Sequence, residues 1–212
     1  VLNVAGRAQY AAPHLEQWMR RDERELEPQL YGSSKAYIEF QPKGVIGNMP
    51  AWNFPVDLSV GPLVEMLAAG NRVIIKPSEQ TPAVGQLLAE MLGDTFAREQ
   101  VSVVNGGLDL ARNFSTLKWD HLLYTGNTAV GREVMRNAAQ NLVPVTLELG
   151  GRNPTVFTED AVTRDNVRIM LGSKLTKNGQ LCIAVNHVMV PEAARDKFIG
   201  LVREVIESAV GD

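Results

Sequence analysis

Residues 44–76 have the sequence GVIGNMPAWNFPVDLSVGPLVEMLAAGNRVIIK, in which two short apolar runs flank a longer amphipathic segment. The runs at 44–49 and 72–76 are each followed by a proline and predict buried strands. The segment between them predicts a helix, which ends where Gly70 and Asn71 favour a left-handed cap. A strand, a helix and a strand in this order predict two parallel strands joined by a crossover helix.

The same alternation continues along the chain and defines the predicted fold class. We predict further strands at 36–40, 101–105, 121–125, 145–149 and 155–157, and helices over the first thirty residues, after Thr81-Pro82, at 128–139 and at 191–208. The class is therefore α/β, an open and mostly parallel sheet with flanking helices. A change of domain is expected near Gly150-Gly151, dividing the chain into 1–149 and 150–212.

The sequence also predicts where two of the helices begin or end. The first helix is expected to place Leu15, Trp18 and Met19 on one face and to end at Pro28. Thr81 is expected to cap the helix that follows it, with Pro82 in the first helical position. Gly93 is expected to end that helix.

The composition narrows the expected binding partners and the expected cellular compartment of the chain. It has 212 residues, 45% of them apolar, and a net charge of −3 without a long basic run, so nucleic acid and anionic membrane are not expected as partners. We find no apolar stretch long enough to span a bilayer and no signal peptide, and the chain starts without Met, as an internal or processed fragment would. The lone Cys182 favours a reducing, cytoplasmic setting. The three histidines have no ligand spacing with it, so no metal site is expected.

Two strand-to-helix connections are candidates for nucleotide binding. At Gly126, Asn127 and Thr128 the backbone could approach a ligand, Thr128 could cap the next helix, and its first N–H groups could meet a pyrophosphate. The alternative is an ordinary capped turn. After the strand at 72–76, Lys76 and Glu79 could bind ribose hydroxyls, or they could belong to a solvated charged loop.

Three residues are candidates for chemistry. Glu148 lies in an otherwise apolar strand and is either a general base or an outward-facing residue of an alternating strand. Asn53, in a loop stiffened by Pro50 and Pro55, could donate to an oxyanion or simply turn the loop. Cys182 follows a glycine-containing loop and is either a nucleophile or a small buried apolar residue.

Taken together and in order, these segments resemble the aldehyde dehydrogenase superfamily. The matching motifs are Trp52-Asn53-Phe54-Pro55, Lys76-Pro77-Ser78-Glu79, the run from Gly126 to Gly131, Leu147-Glu148-Leu149-Gly150-Gly151, and Asn178-Gly179-Gln180-x-Cys182. The interval from Glu148 to Cys182, 182 − 148 = 34 residues, is the spacing that this family uses. The Gly126 run and the Val104-Asn105-Gly106-Gly107 turn resemble the class 3 branch, which includes coniferyl aldehyde dehydrogenases.

The resemblance implies a Rossmann-like cofactor domain, the start of a second α/β catalytic domain, and a set of roles. Cys182 would be the nucleophile, Asn53 and the Cys182 backbone N–H the oxyanion hole, and Glu148 the base that activates water against a thioester. The cofactor would be NAD, with NADP tolerated, because Glu79 opposes a 2′-phosphate by charge but can swing away in class 3 relatives. The implied cofactor contacts are Trp52, Lys76, Ser78, Glu79, Gly126, Asn127, Thr128, Ala129, Val130, Gly131, Leu149 and Gly150.

The implied substrate is an aromatic or fatty aldehyde such as coniferyl aldehyde, and the implied full-length assembly is a homodimer. Ala51 and Arg152 stand where the family often has Pro and Lys, and neither is expected to carry chemistry. Family members are more than twice as long as this chain, so an alternative is a truncated, inactive nucleotide-binding relative. A third reading is an acyl-transferring cysteine enzyme without redox chemistry.

Overall fold

A computed structural model describes residues 2–210, and Val1 and residues 211–212 lie outside the described residues. The chain divides into two compact units, one ending at Glu148 and one beginning at Leu149. The prediction that these two parts are a cofactor-binding domain and a thiol-bearing domain stays a prediction. Among the described residues, no helix is both long and apolar enough to cross a membrane.

The first unit is built on a five-stranded sheet in the order β5-β4-β3-β6-β7. Strand β3 pairs in parallel with β4 and β6, and β4 pairs in parallel with β5. The strands are β3 (Val45–Met49), β4 (Arg72–Ile75), β5 (Val101–Val103), β6 (His121–Gly126) and β7 (Val145–Leu149), and the helices that connect them are α3 (Asp57–Ala68), α4 (Pro82–Thr95), α5 (Leu108–Ser115) and α6 (Thr128–Ala139). The α/β class with a mostly parallel sheet and flanking helices is confirmed.

Apolar side chains of β4 and its neighbours form the core of this unit. Val73 and Ile75 are almost fully buried against Leu63 of α3 and Leu92 of α4. Burying each such side chain stabilises the fold by roughly 1.5–3 kcal/mol. The apolar run that predicted β4 therefore contributes to the core.

The segment before the sheet differs from its prediction. Helix α1 (Leu2–Trp18) ends well before Pro28, and a small antiparallel sheet follows, made of β1 (Asp22–Arg24) and β2 (Ala36–Ile38). Pro28 begins a short helix, α2 (Pro28–Tyr31), since a proline is tolerated in the first helical turn. The predicted apolar face is wrong for Trp18 and Met19, which are exposed, whereas Leu15 is half-buried and Ala11 is buried.

Two predicted helix ends also need correction. Thr81 does occupy the cap position with Pro82 after it, but its hydroxyl makes no cap hydrogen bond and instead donates to the Ser78 carbonyl at 3.4 Å. Gly93 lies inside α4, which continues to Thr95. A glycine can continue a helix at a cost of roughly 1 kcal/mol relative to alanine, so one glycine does not end it.

The second unit contains a pair of parallel strands and two helices. Strand β8 (Asn153–Val156) pairs in parallel with β9 (Val185–Met189), and the helices are α7 (Arg164–Leu175) and α8 (Arg195–Val210). Its core is formed by Phe157, Val162, Val167, Met170, Ala194 and Val205. Cys182 lies in the loop between α7 and β9.

Candidate active site

The predicted cofactor contacts of the first unit lie at the carboxyl ends of its parallel strands. Trp52 and Asn53 follow β3, Lys76 to Glu79 follow β4, and Gly126 ends β6. Parallel strands end at the same edge of a sheet, which is where open α/β sheets bind ligands. The fold therefore brings these three segments to one edge.

Lys76 and Glu79 form an ion pair at this edge. The Lys76 ammonium is almost fully buried and donates to a Glu79 carboxylate oxygen at 2.9 Å, while the Glu79 side chain keeps 34% of its exposure. The hydrogen bond from Lys76 lowers the pKa of Glu79 below its ordinary value, against the opposing effect of burial. Glu79 is thus an ionised hydrogen-bond acceptor held at the carboxyl-end edge of the sheet, rather than part of a freely solvated loop. The neighbouring Ser78 is half-buried, and its hydroxyl accepts from the backbone N–H of Gln80.

The turn into α6 is capped differently from the prediction. Asn127, not Thr128, is the N-cap residue, and its side-chain oxygen accepts from the Ala129 backbone N–H at 2.7 Å. Thr128 is already the first helical residue. Asn127 has the extended backbone that a capping residue needs, so its side chain can reach the first turn.

Gly126 is required by its neighbour Tyr124. A Cβ at position 126 would lie 2.4 Å from the Tyr124 hydroxyl oxygen and 2.8 Å from the ring carbon that carries it. The buried Tyr124 hydroxyl accepts a hydrogen bond from the Asn127 backbone, which lowers its pKa; burial, the larger effect, and the charge of Glu79 both raise the pKa of Tyr124. The side chain thus links the end of β6 with the start of α6.

Three of the four remaining predicted residues of this turn are surface residues at the start of α6. Thr128, Ala129 and Val130 are exposed, whereas Gly131 is buried and donates its backbone N–H to the Asn127 carbonyl. Leu108, in the first turn of α5, is exposed as well and was not identified from the sequence. Leu108 and Val130 lie in the first turns of α5 and α6, two helices that pack together. The Gly106-Gly107 pair before Leu108 is the sequence feature that could have drawn attention to Leu108.

Glu148 does not have the apolar surroundings that its strand suggested. It is exposed near the end of β7, alternating with half-buried Leu147 and Leu149, as the outward-facing alternative describes. Gly150 follows the strand and is also exposed. Exposure leaves the Glu148 carboxylate accessible to water, which a general base for hydrolysis requires.

Cys182 has an exposed thiol in the second unit, so it is not a small buried apolar residue. It lies in a tight turn closed by a hydrogen bond from the Ala184 N–H to the Leu181 carbonyl at 3.2 Å. Exposure makes the thiol available to an electrophile. Among residues 2–210, no group of three or more His, Cys, Asp or Glu side chains is arranged to hold a metal ion.

The chain matches the aldehyde dehydrogenase family over residues 2–212 and belongs to that family. It is 44% identical over 198 residues to a probable coniferyl aldehyde dehydrogenase of Pseudomonas aeruginosa, covering 93% of this chain and 41% of the relative. It is 32% identical over 212 residues to the dimeric NADP-preferring aldehyde dehydrogenase of Canis lupus familiaris, covering 100% of this chain and 47% of the relative. The predicted family and its coniferyl and class 3 branch are confirmed.

Solved structures of the family have the same fold. AldH of Staphylococcus aureus in a substrate-bound state superposes with a TM-score of 0.93 at 29% identity, covering 100% of this chain and 46% of that one. An aldehyde dehydrogenase of Mycobacterium tuberculosis complexed with NAD+ superposes with a TM-score of 0.83 at 29% identity, covering 96% and 42%. The chain thus spans less than half the length of the relatives that it matches.

Proposed function

We propose that the protein oxidises an aldehyde to a carboxylic acid with a nicotinamide dinucleotide as oxidant, through a thioester on Cys182. The observation that carries the proposal is an exposed cysteine in the motif Asn178-Gly179-Gln180-x-Cys182, in a chain of the aldehyde dehydrogenase family. The redox reading is favoured over acyl transfer alone because the same chain has a nucleotide-type sheet edge with Lys76 and Glu79.

The residues at the sheet edge fit a dinucleotide. The ionised Glu79 can accept hydrogen bonds from ribose hydroxyls, and Lys76 fixes its direction. Thr128 and Val130 begin α6, where backbone N–H groups are available to a pyrophosphate. Leu108 and Val130 offer apolar surface to a purine ring. Trp52, Ser78, Leu149 and Gly150 complete the proposed set by family resemblance.

The family resemblance assigns one role to each of three side chains. The Cys182 thiolate adds to the aldehyde carbon, and the oxygen that becomes negative is stabilised by the Asn53 amide and the Cys182 backbone N–H. The bound dinucleotide supplies an acceptor for the hydride that leaves this carbon. Glu148 then takes a proton from water, whose oxygen attacks the thioester carbon; the C–S bond breaks, the acid is released and the Cys182 thiolate is regenerated.

The finer assignments rest on the relatives. An aromatic aldehyde of the coniferyl type is the proposed substrate because the bacterial relative at 44% identity is described as a probable coniferyl aldehyde dehydrogenase. We propose NAD as the preferred cofactor because the Glu79 carboxylate repels a 2′-phosphate, with NADP accepted less well. A homodimer and a cytoplasmic location stay predictions, the first by likeness to the dimeric mammalian relative.

The test is NADH production from an aromatic aldehyde and NAD by the purified protein and by Cys182→Ala. We expect the substitution to abolish turnover while leaving binding of NAD unchanged. Turnover that persists in Cys182→Ala would reject the thioester route. Turnover of an acyl ester without any dinucleotide, in place of aldehyde oxidation, would favour the acyl-transfer alternative.

A further inference from the structure

The backbone carbonyl of Cys182 is bound by a side chain that neither the motifs nor the proposed mechanism include. The amide nitrogen of Asn153 donates to the Cys182 carbonyl oxygen at 2.7 Å and to the Ala184 carbonyl oxygen at 3.0 Å. It also lies 3.3 Å from the side-chain oxygen of Asn186, which accepts from the Asn153 backbone N–H at 2.9 Å. Asn153 is therefore tied to the Cys182 turn through its side chain and to Asn186 of β9 through its backbone.

The turn itself leaves this carbonyl in need of a partner. Cys182 and Ile183 are its two central residues, because the Ala184 N–H closes it onto the Leu181 carbonyl. The carbonyl of a central turn residue points away from the closing hydrogen bond. Both Cys182 and Ile183 are exposed, so packing of their side chains does little to orient the turn. The amide of Asn153 is the side-chain donor that binds the Cys182 carbonyl.

Asn153 is itself held in place by the pairing of β8 with β9. It is the first residue of β8 and pairs with Val185 of β9, and an irregularity in register follows between Asn153 and Pro154. Such irregularities re-aim a side chain relative to the regular strand. The strand continues into Phe157, which is buried in the core of the second unit.

We propose that Asn153 is a positioning residue for the Cys182 nucleophile. The proposal rests on the proposed function, in which Cys182 attacks the aldehyde. The N–H, the side chain and the carbonyl of Cys182 all branch from one Cα atom. Fixing the carbonyl therefore limits where the thiolate and the oxyanion-binding N–H can lie relative to β8. A displacement of about 1 Å at a reacting group can lower a rate by about 100-fold.

The kinetic test compares Asn153→Ser with a matched control, Asn166→Ser. Serine is too short to reach the Cys182 carbonyl and adds no charge. Asn166 also donates its amide to a backbone carbonyl of the second unit, that of Ala161 at 2.9 Å, but it lies on α7. We expect Asn153→Ser to lower kcat by about tenfold to about 100-fold with the KM for NAD within about twofold, and Asn166→Ser to leave both unchanged.

A second readout reports on the turn without any turnover. Cys182 is the single cysteine of the sequence, so alkylation with bromotrifluoroacetone places a fluorine label at this site alone. We expect slower fluorine transverse relaxation, hence a more mobile label, in Asn153→Ser than in the unsubstituted protein and in Asn166→Ser. Asn153→Asp, which keeps the side-chain shape without its donors, is expected to behave like Asn153→Ser, so the test does not depend on one variant folding.

The outcomes separate this inference from the proposed function. If Cys182→Ala abolishes turnover but the Asn153 variants keep kcat and label relaxation unchanged, the positioning role is rejected and the proposed function stands. If Cys182→Ala keeps turnover, the proposed function is rejected, and the fluorine relaxation still decides whether Asn153 orders the Cys182 turn.

Discussion

Glu79 is the residue that we propose to influence the choice between NAD and NADP. Its carboxylate is held by the buried Lys76 ammonium, and this hydrogen bond keeps its pKa below the ordinary value. It therefore stays ionised throughout the neutral range. A negative charge fixed at the proposed ribose site would disfavour an additional phosphate at the 2′ position.

We predict that Glu79→Gln raises the ratio of kcat/KM for NADP to that for NAD by about tenfold, which corresponds to roughly 1.4 kcal/mol. The reason is the loss of one repulsive charge at a partly exposed site. Glu90→Gln is the control, because Glu90 is an exposed carboxylate on α4. In the unsubstituted protein the ratio is expected to be constant from about pH 7 to about pH 8, since Glu79 is ionised and a phosphate monoester is mostly dianionic there. If the ratio is unchanged in Glu79→Gln, the proposal that Glu79 contacts the cofactor is rejected.

At the scale of elements, the start of α6 depends on Asn127 rather than on Thr128. The Asn127 side chain occupies the Ala129 N–H, and the Asn127 carbonyl accepts the Gly131 N–H. One residue thus supplies both the cap and the first intrahelical acceptor. The same residue donates its own backbone N–H to Tyr124.

We predict that Asn127→Ala lowers the free energy of unfolding by about 0.5–2 kcal/mol, the usual loss for a removed N-cap. Thr128→Ala is expected to change it by no more than about 0.5 kcal/mol, because Thr128 is exposed and does not cap. Urea unfolding of the two variants measures the difference. A larger loss of stability in Thr128→Ala than in Asn127→Ala would indicate that Thr128 is the capping residue.

The elements that could be predicted from the sequence are those that the local pattern determines. The β-branched run at 72–76 and the bounds of α6 at 128–139 were predicted closely, because their apolar residues face the core. The charged strand β1 was missed because its own residues do not form an apolar or alternating pattern. It is stabilised by pairing with β2 and by contacts nearby, such as that of Arg21 over the Tyr37 ring. Helices α5 and α7 were also missed, although Thr163 does cap α7.

The candidate site was predictable in its positions but not in its contacts. Motifs located Asn53, Lys76, Glu79, Glu148 and Cys182, since each residue type stands at a recognisable strand end or loop. The choice between Asn127 and Thr128 as cap depends on a backbone angle at one residue, which sequence pattern does not resolve. The contact between Asn153 and the Cys182 carbonyl joins residues that are far apart in the chain and follows only from the pairing of β8 with β9.

At the scale of the whole molecule, His121 makes stability depend on pH. Its Nε2 lies 2.8 Å from the Thr146 hydroxyl, and its Nδ1 is buried without a hydrogen-bond partner. Burial, followed by the charge of Lys43, lowers the pKa of His121 below its ordinary value near 6.5. The unfolded chain therefore takes up this proton at a higher pH than the folded chain does.

We predict that the free energy of unfolding falls as the pH drops from about 6.5 through the lowered pKa of His121, and is fully retained above about pH 6.5. His121→Gln is expected to remove this part of the pH dependence, and His187→Gln, at an exposed position of β9, to leave it in place. Urea unfolding at a series of pH values measures both. Equal pH dependence in His121→Gln and the unsubstituted protein would contradict the assignment.

We propose above that Cys182 carries the acyl group during aldehyde oxidation. Peptide mass spectrometry of Glu148→Gln after incubation with an aromatic aldehyde and NAD would detect this group, because loss of the base slows hydrolysis of the thioester. We expect the acyl group of that aldehyde on the peptide containing Cys182, formed together with an equal amount of NADH. NADH formed without any acyl group on Cys182 would rule out the thioester.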